Sequence, residues 1–314
     1  MIDRTNNKSI RAAYGNALVE VGKENENVVV LDADVAKSTM SITFKNAYPE
    51  RFFDMGIAEQ DMVATAAGLA SQGKIPFAST FAVFATGRTY DQIRNGICYG
   101  NLNAKIVGTH GGITVGEDGA SHQALEDVSL MRGLPNMTVI VPADCKECLE
   151  AVKYAAKHEG PVYIRVARSN VPDIFDDSYE LALDGKVMRE GKDVVVITNG
   201  ETLAEVLDAA EILSQKGIDA KVINLPVVKP LNEDVILKET ADAKLCVTVE
   251  NHSIIGGLGS AICEVLSEKA PKKVLRIGTN DVFGQSGTVK ALLDYYGLTA
   301  EKIAQRIQEK METL

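Results

Sequence analysis

The stretch VVVITNGETLAEVLDAAEILSQ, residues 194–215, decides the fold class. Its first four residues are β-branched and apolar without alternation, and a strand that lacks a polar face must be covered on both sides. Apolar side chains then recur at helical spacing after the turn residues, with Thr202 placed to open the helix. The unit repeats. Apolar runs at 28–31, 105–107, 138–141, 162–166, 221–223, 245–249 and 274–277 alternate with amphipathic stretches that include 57–71, 144–158 and 260–268. This pattern predicts an α/β protein built on parallel sheets flanked by helices. The polar, turn-rich sequence from Ser169 onward has little periodicity. The expected organisation is a domain over 1–168, a linker over 169–191 and a second domain over 192–314.

With 314 residues the chain can bury a core in each domain. It is 46% hydrophobic and 24% charged, and no apolar run approaches the roughly 18 residues of a membrane span. The opening MIDRTNNKSI has no apolar segment after its charges, so no secretory signal is expected. The five cysteines are then expected as reduced thiols of a cytoplasmic protein. A balance of 33 basic against 43 acidic residues gives a net charge of −10, which disfavours nucleic acid and anionic membranes as partners. An anionic substrate must be gripped by a few local Arg and His side chains.

The densest segment is GTHGGITVGEDGASHQ, residues 108–123, directly after an expected strand. It holds five glycines, two of the four histidines and two acids. Ligands of parallel α/β sheets bind beyond the carboxyl ends of strands, where glycine permits close approach; the alternative is a tight connection whose glycines serve only turns. A phosphate-binding P-loop is excluded, since Glu117 stands where the lysine must be. A metal site of His110, Asp118 and His122 matches no common zinc spacing. In FFDMGIAEQDMVATAAGLASQG, residues 52–73, Glu59 opens an Ala-rich helix among apolar neighbours. Such surroundings raise a carboxyl pKa and suit it to proton transfer; alternatively it is a carboxylate favoured by the helix N-terminus. STFAVF, residues 79–84, supplies Phe81 and Phe84, either core or a platform for a ligand. Cys145 and Cys148 form a lone C-x-x-C and are expected to be packing thiols. His158 and His252 are expected at the surface or in supporting positions. IIGGLGS, residues 254–260, lacks the third glycine of a nucleotide fingerprint and reads as a helix-entry turn.

MGIAEQ around Glu59, STFAVF and THGGITVGEDGASHQ, in that order and spacing, resemble the transketolase family of thiamine diphosphate enzymes. RAAYGNA from Arg11, LDADVAKST from Leu31, YIRVARSN from Tyr163, VENHSIIGGLG from Val249 and GQSGTVKALLDYYGLT from Gly284 extend the resemblance over nearly the whole chain. It covers the family's pyrimidine-binding and C-terminal domains. The pyrophosphate-binding domain, with its GDG motif and a later Asn on a divalent cation, has no counterpart here. The resemblance therefore implies the C-terminal subunit of a split transketolase. Its thiamine diphosphate would be shared with an N-terminal subunit that holds Mg2+ or Ca2+, and self-association would give a heterotetramer.

Carried over residue by residue, the resemblance makes Glu59 the glutamate that hydrogen-bonds the aminopyrimidine ring and drives the imino tautomer that deprotonates the thiazolium carbon. Phe84, with Phe81 beside it, would stack on the pyrimidine. His122 and Asp118 would contact the ketose hydroxyls and the covalent intermediate. Arg11, Ser38, His110 and Arg168 would bind the sugar phosphate through charge-assisted contacts. The reaction implied is two-carbon ketol transfer between sugar phosphates, as in the pentose phosphate pathway. Beta subunits of 2-oxo-acid dehydrogenases have similar length and domains but lack the GEDG-x-x-HQ run and the phosphate-binding set. Deoxyxylulose-phosphate synthase shares MGIAEQ and YDQ but usually has alanine at the position of Glu117. A non-catalytic, transketolase-like binding subunit would be expected to lose Glu59, which is present.

Overall fold

The computed structural model describes residues 1–314. Strand β1 (Lys8–Ser9) precedes a helix at Ile10–Glu24, and then β2 (Val28–Asp32), β3 (Phe52–Asp54), β4 (Ile75–Phe81), β5 (Lys105–Gly111), β6 (Thr138–Ile140) and β7 (Val162–Ala167) follow with intervening helices. β8 (Asn170–Val171) turns back to pair antiparallel with β1. The second half adds β9 (Lys186–Arg189), β10 (Val194–Thr198), β11 (Ala220–Asn224), β12 (Val227–Lys229), β13 (Leu245–Ser253) and β14 (Val274–Thr279). The expected α/β class and its two domains of parallel type are what the chain forms.

The first sheet has seven strands in the order β12-β6-β7-β5-β4-β2-β3, and the second has five in the order β14-β13-β10-β11-β9. Pairing is parallel except at one edge of each, where β12 and β9 run antiparallel. β2, β7 and β10 are buried at every residue, as strands sandwiched between helix layers require. The helix Thr202–Gln215 buries Leu203, Val206, Ala209, Ala210 and Leu213 along one stripe. Thr202 does not cap it; its hydroxyl donates to the carbonyl of Asn199 at 2.7 Å. Asp144 does cap its helix, accepting from the Glu147 N–H at 2.8 Å.

Two stretches differ from the sequence reading. Residues 169–191 carry both β8 and β9, so they contribute an edge strand to the second sheet. β12 lies in the second half of the chain yet completes the first sheet beside β6. The halves are thereby tied together.

Candidate active site

The carboxyl ends of β4 and β5 converge on one cluster of rings. β4 ends at Phe81, and the chain coils through Phe84–Arg88 in a wide π-helical turn. Phe81 and Phe84 face each other at 6.1 Å between ring centroids with 21° between planes. His110, near the end of β5, lies 3.9 Å from Phe81, while His122 meets Phe84 edge-on at 5.4 Å. Both phenylalanines are half-buried, outside the hydrophobic cores. They are not core residues.

His110 reaches this position through a bulge. The β5–β7 register slips between Thr109 and Gly111, and His110 takes φ +60°, a left-handed conformation that histidine tolerates better than most residues. Burial first, then the nearby Arg11, Arg168 and His122, push its pKa down to about 3. The expectation of His110 as a local cation is therefore corrected: near neutral pH the imidazole is uncharged and can offer one donor and one acceptor.

The glycine loop is fixed by both halves of the chain. Asn251 accepts from the Ile113 N–H at 3.0 Å, and Thr114 donates to Glu201 at 2.7 Å. Gly112, at φ +78°, packs directly against the Asn251 side chain, so any Cβ there would collide. Arg165 donates from Nε to Asp127 at 2.8 Å and from Nη2 to the carbonyls of Ala124 and Asn251 at 3.1 and 2.9 Å. These glycines serve a loop that is pinned beside the rings.

Glu59 opens the helix Glu59–Ser71 and is 4% exposed. Its surroundings are not purely apolar as the sequence suggests. Arg88 Nη1 donates to both carboxylate oxygens at 2.8 Å, and its guanidinium lies over the Phe84 ring at 4.5 Å. No sequence motif marks Arg88, which stands 29 residues from its partner.

Arg11, from the helix Ile10–Glu24, donates to the carbonyl of Ser38 at 2.6 Å, while its buried Nε has no partner. Burial and then Arg168 push the Arg11 guanidinium below its ordinary pKa. Ser38 thus contributes a carbonyl that orients Arg11. Arg168 approaches the exposed Glu117 at 3.7 Å. Asp118 is exposed at the end of the loop's helical turn, and Ser121 Oγ lies 3.0 Å from His122 Nδ1. No three His, Cys, Asp or Glu side chains gather in metal-ligating geometry, so His110, Asp118 and His122 do not form such a group.

The other motifs resolve as structure. Cys148 is buried and Cys145 half-buried, and burial pushes the Cys145 thiol up to about 12. All five cysteines are free. His158 stacks on Tyr154 at 5.2 Å, and His252 is buried rather than at the surface. In the IIGGLGS turn, the buried Glu250 accepts from the N–H groups of Leu258 and Gly259, both at 2.8 Å, and so fills the helix N-terminus with the chain's own carboxylate. No helix is long and apolar enough to cross a membrane.

Comparison with known proteins identifies the two domains. Residues 6–173 match the model of the transketolase pyrimidine-binding domain and residues 183–303 that of the transketolase C-terminal domain. A putative transketolase C-terminal section of Methanocaldococcus jannaschii is 49% identical over 97% of both chains. A 6-deoxy-6-sulfo-D-fructose transketolase subunit of a Clostridium species is 40% identical over 96% of this chain and 94% of its own. A solved structure described as a split gene transketolase, inactive beta4 tetramer, is 51% identical and superposes with a TM-score of 0.90 over 97% of this chain and 98% of its own. The chain belongs to the transketolase family, of which it carries the pyrimidine-binding and C-terminal domains.

Proposed function

We propose that this chain is the C-terminal subunit of a split, thiamine diphosphate-dependent transketolase that moves a two-carbon ketol unit between sugar phosphates. One observation carries the reading: a buried glutamate, two half-buried phenylalanines and two histidines converge at the carboxyl end of the first sheet. A planar, hydrogen-bonding heterocycle fits such a set. Glu59 offers a buried carboxylate to a ring nitrogen, and the Phe81–Phe84 pair offers an aromatic surface. When bound, thiamine diphosphate supplies a nucleophilic thiazolium carbon.

The chain's own residues do the rest. Glu59 holds and returns a proton at its carboxylate oxygen, in a position shielded from water. His122, edge-on to Phe84, exchanges protons with the substrate hydroxyls, and Asp118 contacts them from the loop. Arg11 and Arg168 repel each other and leave a buried donor unsatisfied, which favours an anion between them. His110, being neutral, donates to that sugar phosphate without adding charge.

The pyrophosphate and its Mg2+ or Ca2+ would be held by an N-terminal partner subunit, with self-association giving a heterotetramer. The relatives described as a C-terminal section and as a split gene product support this, since each matches over nearly its full length. The setting is cytoplasmic and the pathway is pentose phosphate interconversion. Purification from native extract tests the reading: a partner carrying the pyrophosphate and metal motifs should co-purify, and the complex should transfer ketol units. Recovery of an active single-chain species would refute it.

A further inference from the structure

The side chain of Arg88 makes both contacts that a pyrimidine ring would need. It donates to the two oxygens of Glu59 at 2.8 Å, and it lies over Phe84 at 4.5 Å. A ring between Glu59 and Phe84 and a guanidinium in the same place exclude one another. We propose that Arg88 is a built-in competitor for the pyrimidine site, a guanidinium that covers Glu59 and Phe84 and must swing into solvent before the ring binds. The proposal rests on the pyrimidine-binding reading of these two residues.

The local structure suits such a motion. Arg88 is 47% exposed on its side chain, whereas Glu59 is 4% exposed. At Gly87, just before it, a Cβ would meet no other atom within 4 Å. Gln60 donates to the Arg88 carbonyl at 3.3 Å, so the backbone is held independently of the guanidinium. A buried carboxylate without a partner is strongly disfavoured, and Arg88 supplies one until a ring nitrogen that shares a proton with Glu59 replaces it. The apparent affinity for the ring then falls by the fraction of molecules in which Arg88 is swung out.

The test uses the full chain and the isolated ring, 4-amino-2,5-dimethylpyrimidine, with affinity read by ligand-observed NMR and folding checked by thermal melting. Arg88→Ala should bind the ring roughly fivefold tighter than the unaltered chain, the factor expected for one partly exposed ion pair. Arg88→Gln, which keeps a donor and guards against a misfolded alanine variant, should give a smaller gain. In a Glu59→Gln background the gain should vanish. Unchanged affinity in both Arg88 variants, with binding still lost on Glu59→Gln, overturns the competitor role and spares the assignment of Glu59. Weaker binding by Arg88→Ala also overturns it and makes Arg88 a ligand for the ring. Failure of every variant to bind, or binding indifferent to Glu59→Gln, contradicts the pyrimidine reading and the competitor role with it.

Discussion

Asn251, on β13 of the second sheet, accepts a hydrogen bond from the Ile113 N–H at 3.0 Å, in the middle of the glycine loop that ends the first sheet's β5. Its side chain also donates to Glu201 and, at 3.3 Å, to Thr114. One amide of the C-terminal half therefore sets the loop that carries His122. Asn251→Ala leaves a buried N–H unpaired, which costs about 1–3 kcal/mol. Denaturant unfolding should show that loss, and amide hydrogen exchange should show faster opening across residues 112–118. Unchanged exchange there would mean that the loop is held by its own turns.

Glu59→Gln keeps the shape of the side chain and removes its titratable proton. Loss of a positioned acid–base group lowers rates by ~10²–10⁴-fold. Deuterium exchange at the thiazolium carbon, measured in the assembled complex, should slow by that factor while assembly is preserved. Exchange at the original rate would remove Glu59 from proton transfer.

Arg168 is proposed to meet a phosphate dianion, with Glu117 as its partner in the free chain. Losing one charge-assisted contact costs about 1.5–3 kcal/mol, or about 10–150-fold in kcat/KM. Arg168→Ala should show this loss with phosphorylated ketoses and aldoses and little change with hydroxypyruvate or glycolaldehyde. An equal loss with both groups would make Arg168 a structural residue. Activity on a 2-oxo acid with lipoyl transfer, and none on sugar phosphates, would point to the dehydrogenase class.

His110 should leave a signature in the pH dependence of stability. Its pKa falls from the ordinary 6.5 to about 3 on folding, through burial first and then Arg11, Arg168 and His122. Between these values the unfolded chain binds a proton that the folded chain does not, so the contribution is complete above pH 6.5 and is lost as pH falls toward 3. The slope from this group is up to about 1.4 kcal/mol per pH unit. Unfolding of His110→Asn, in which Asn tolerates the left-handed backbone, should be less pH-sensitive than that of the unaltered chain between pH 6.5 and 5. Parallel curves would mean that His110 titrates normally.

Much of the scaffold is legible locally because buried parallel strands must be apolar throughout, as at β2, β7 and β10. β4 is harder, since Pro76, Ser79 and Thr80 interrupt its apolar run although all are buried. β12 has three residues and no local feature that tells which sheet it joins. β9 is an edge strand, half-exposed, so it keeps the polar look of a linker. In the site, Glu59, Phe81, Phe84, His110 and His122 announce themselves through motifs. Arg88 does not, because its role comes from a fold that brings positions 59, 84 and 88 together, and the neutrality of His110 depends on its burial in the folded site and then on arginines from two distant segments.

Ketol transfer from xylulose 5-phosphate to ribose 5-phosphate, followed while an N-terminal partner subunit is titrated into this chain with thiamine diphosphate and Mg2+, tests the central claim most directly. The predicted result is negligible turnover for either chain alone and activity that rises to a plateau at equal stoichiometry. Turnover by this chain alone at the rate of the mixture would contradict the split-enzyme account.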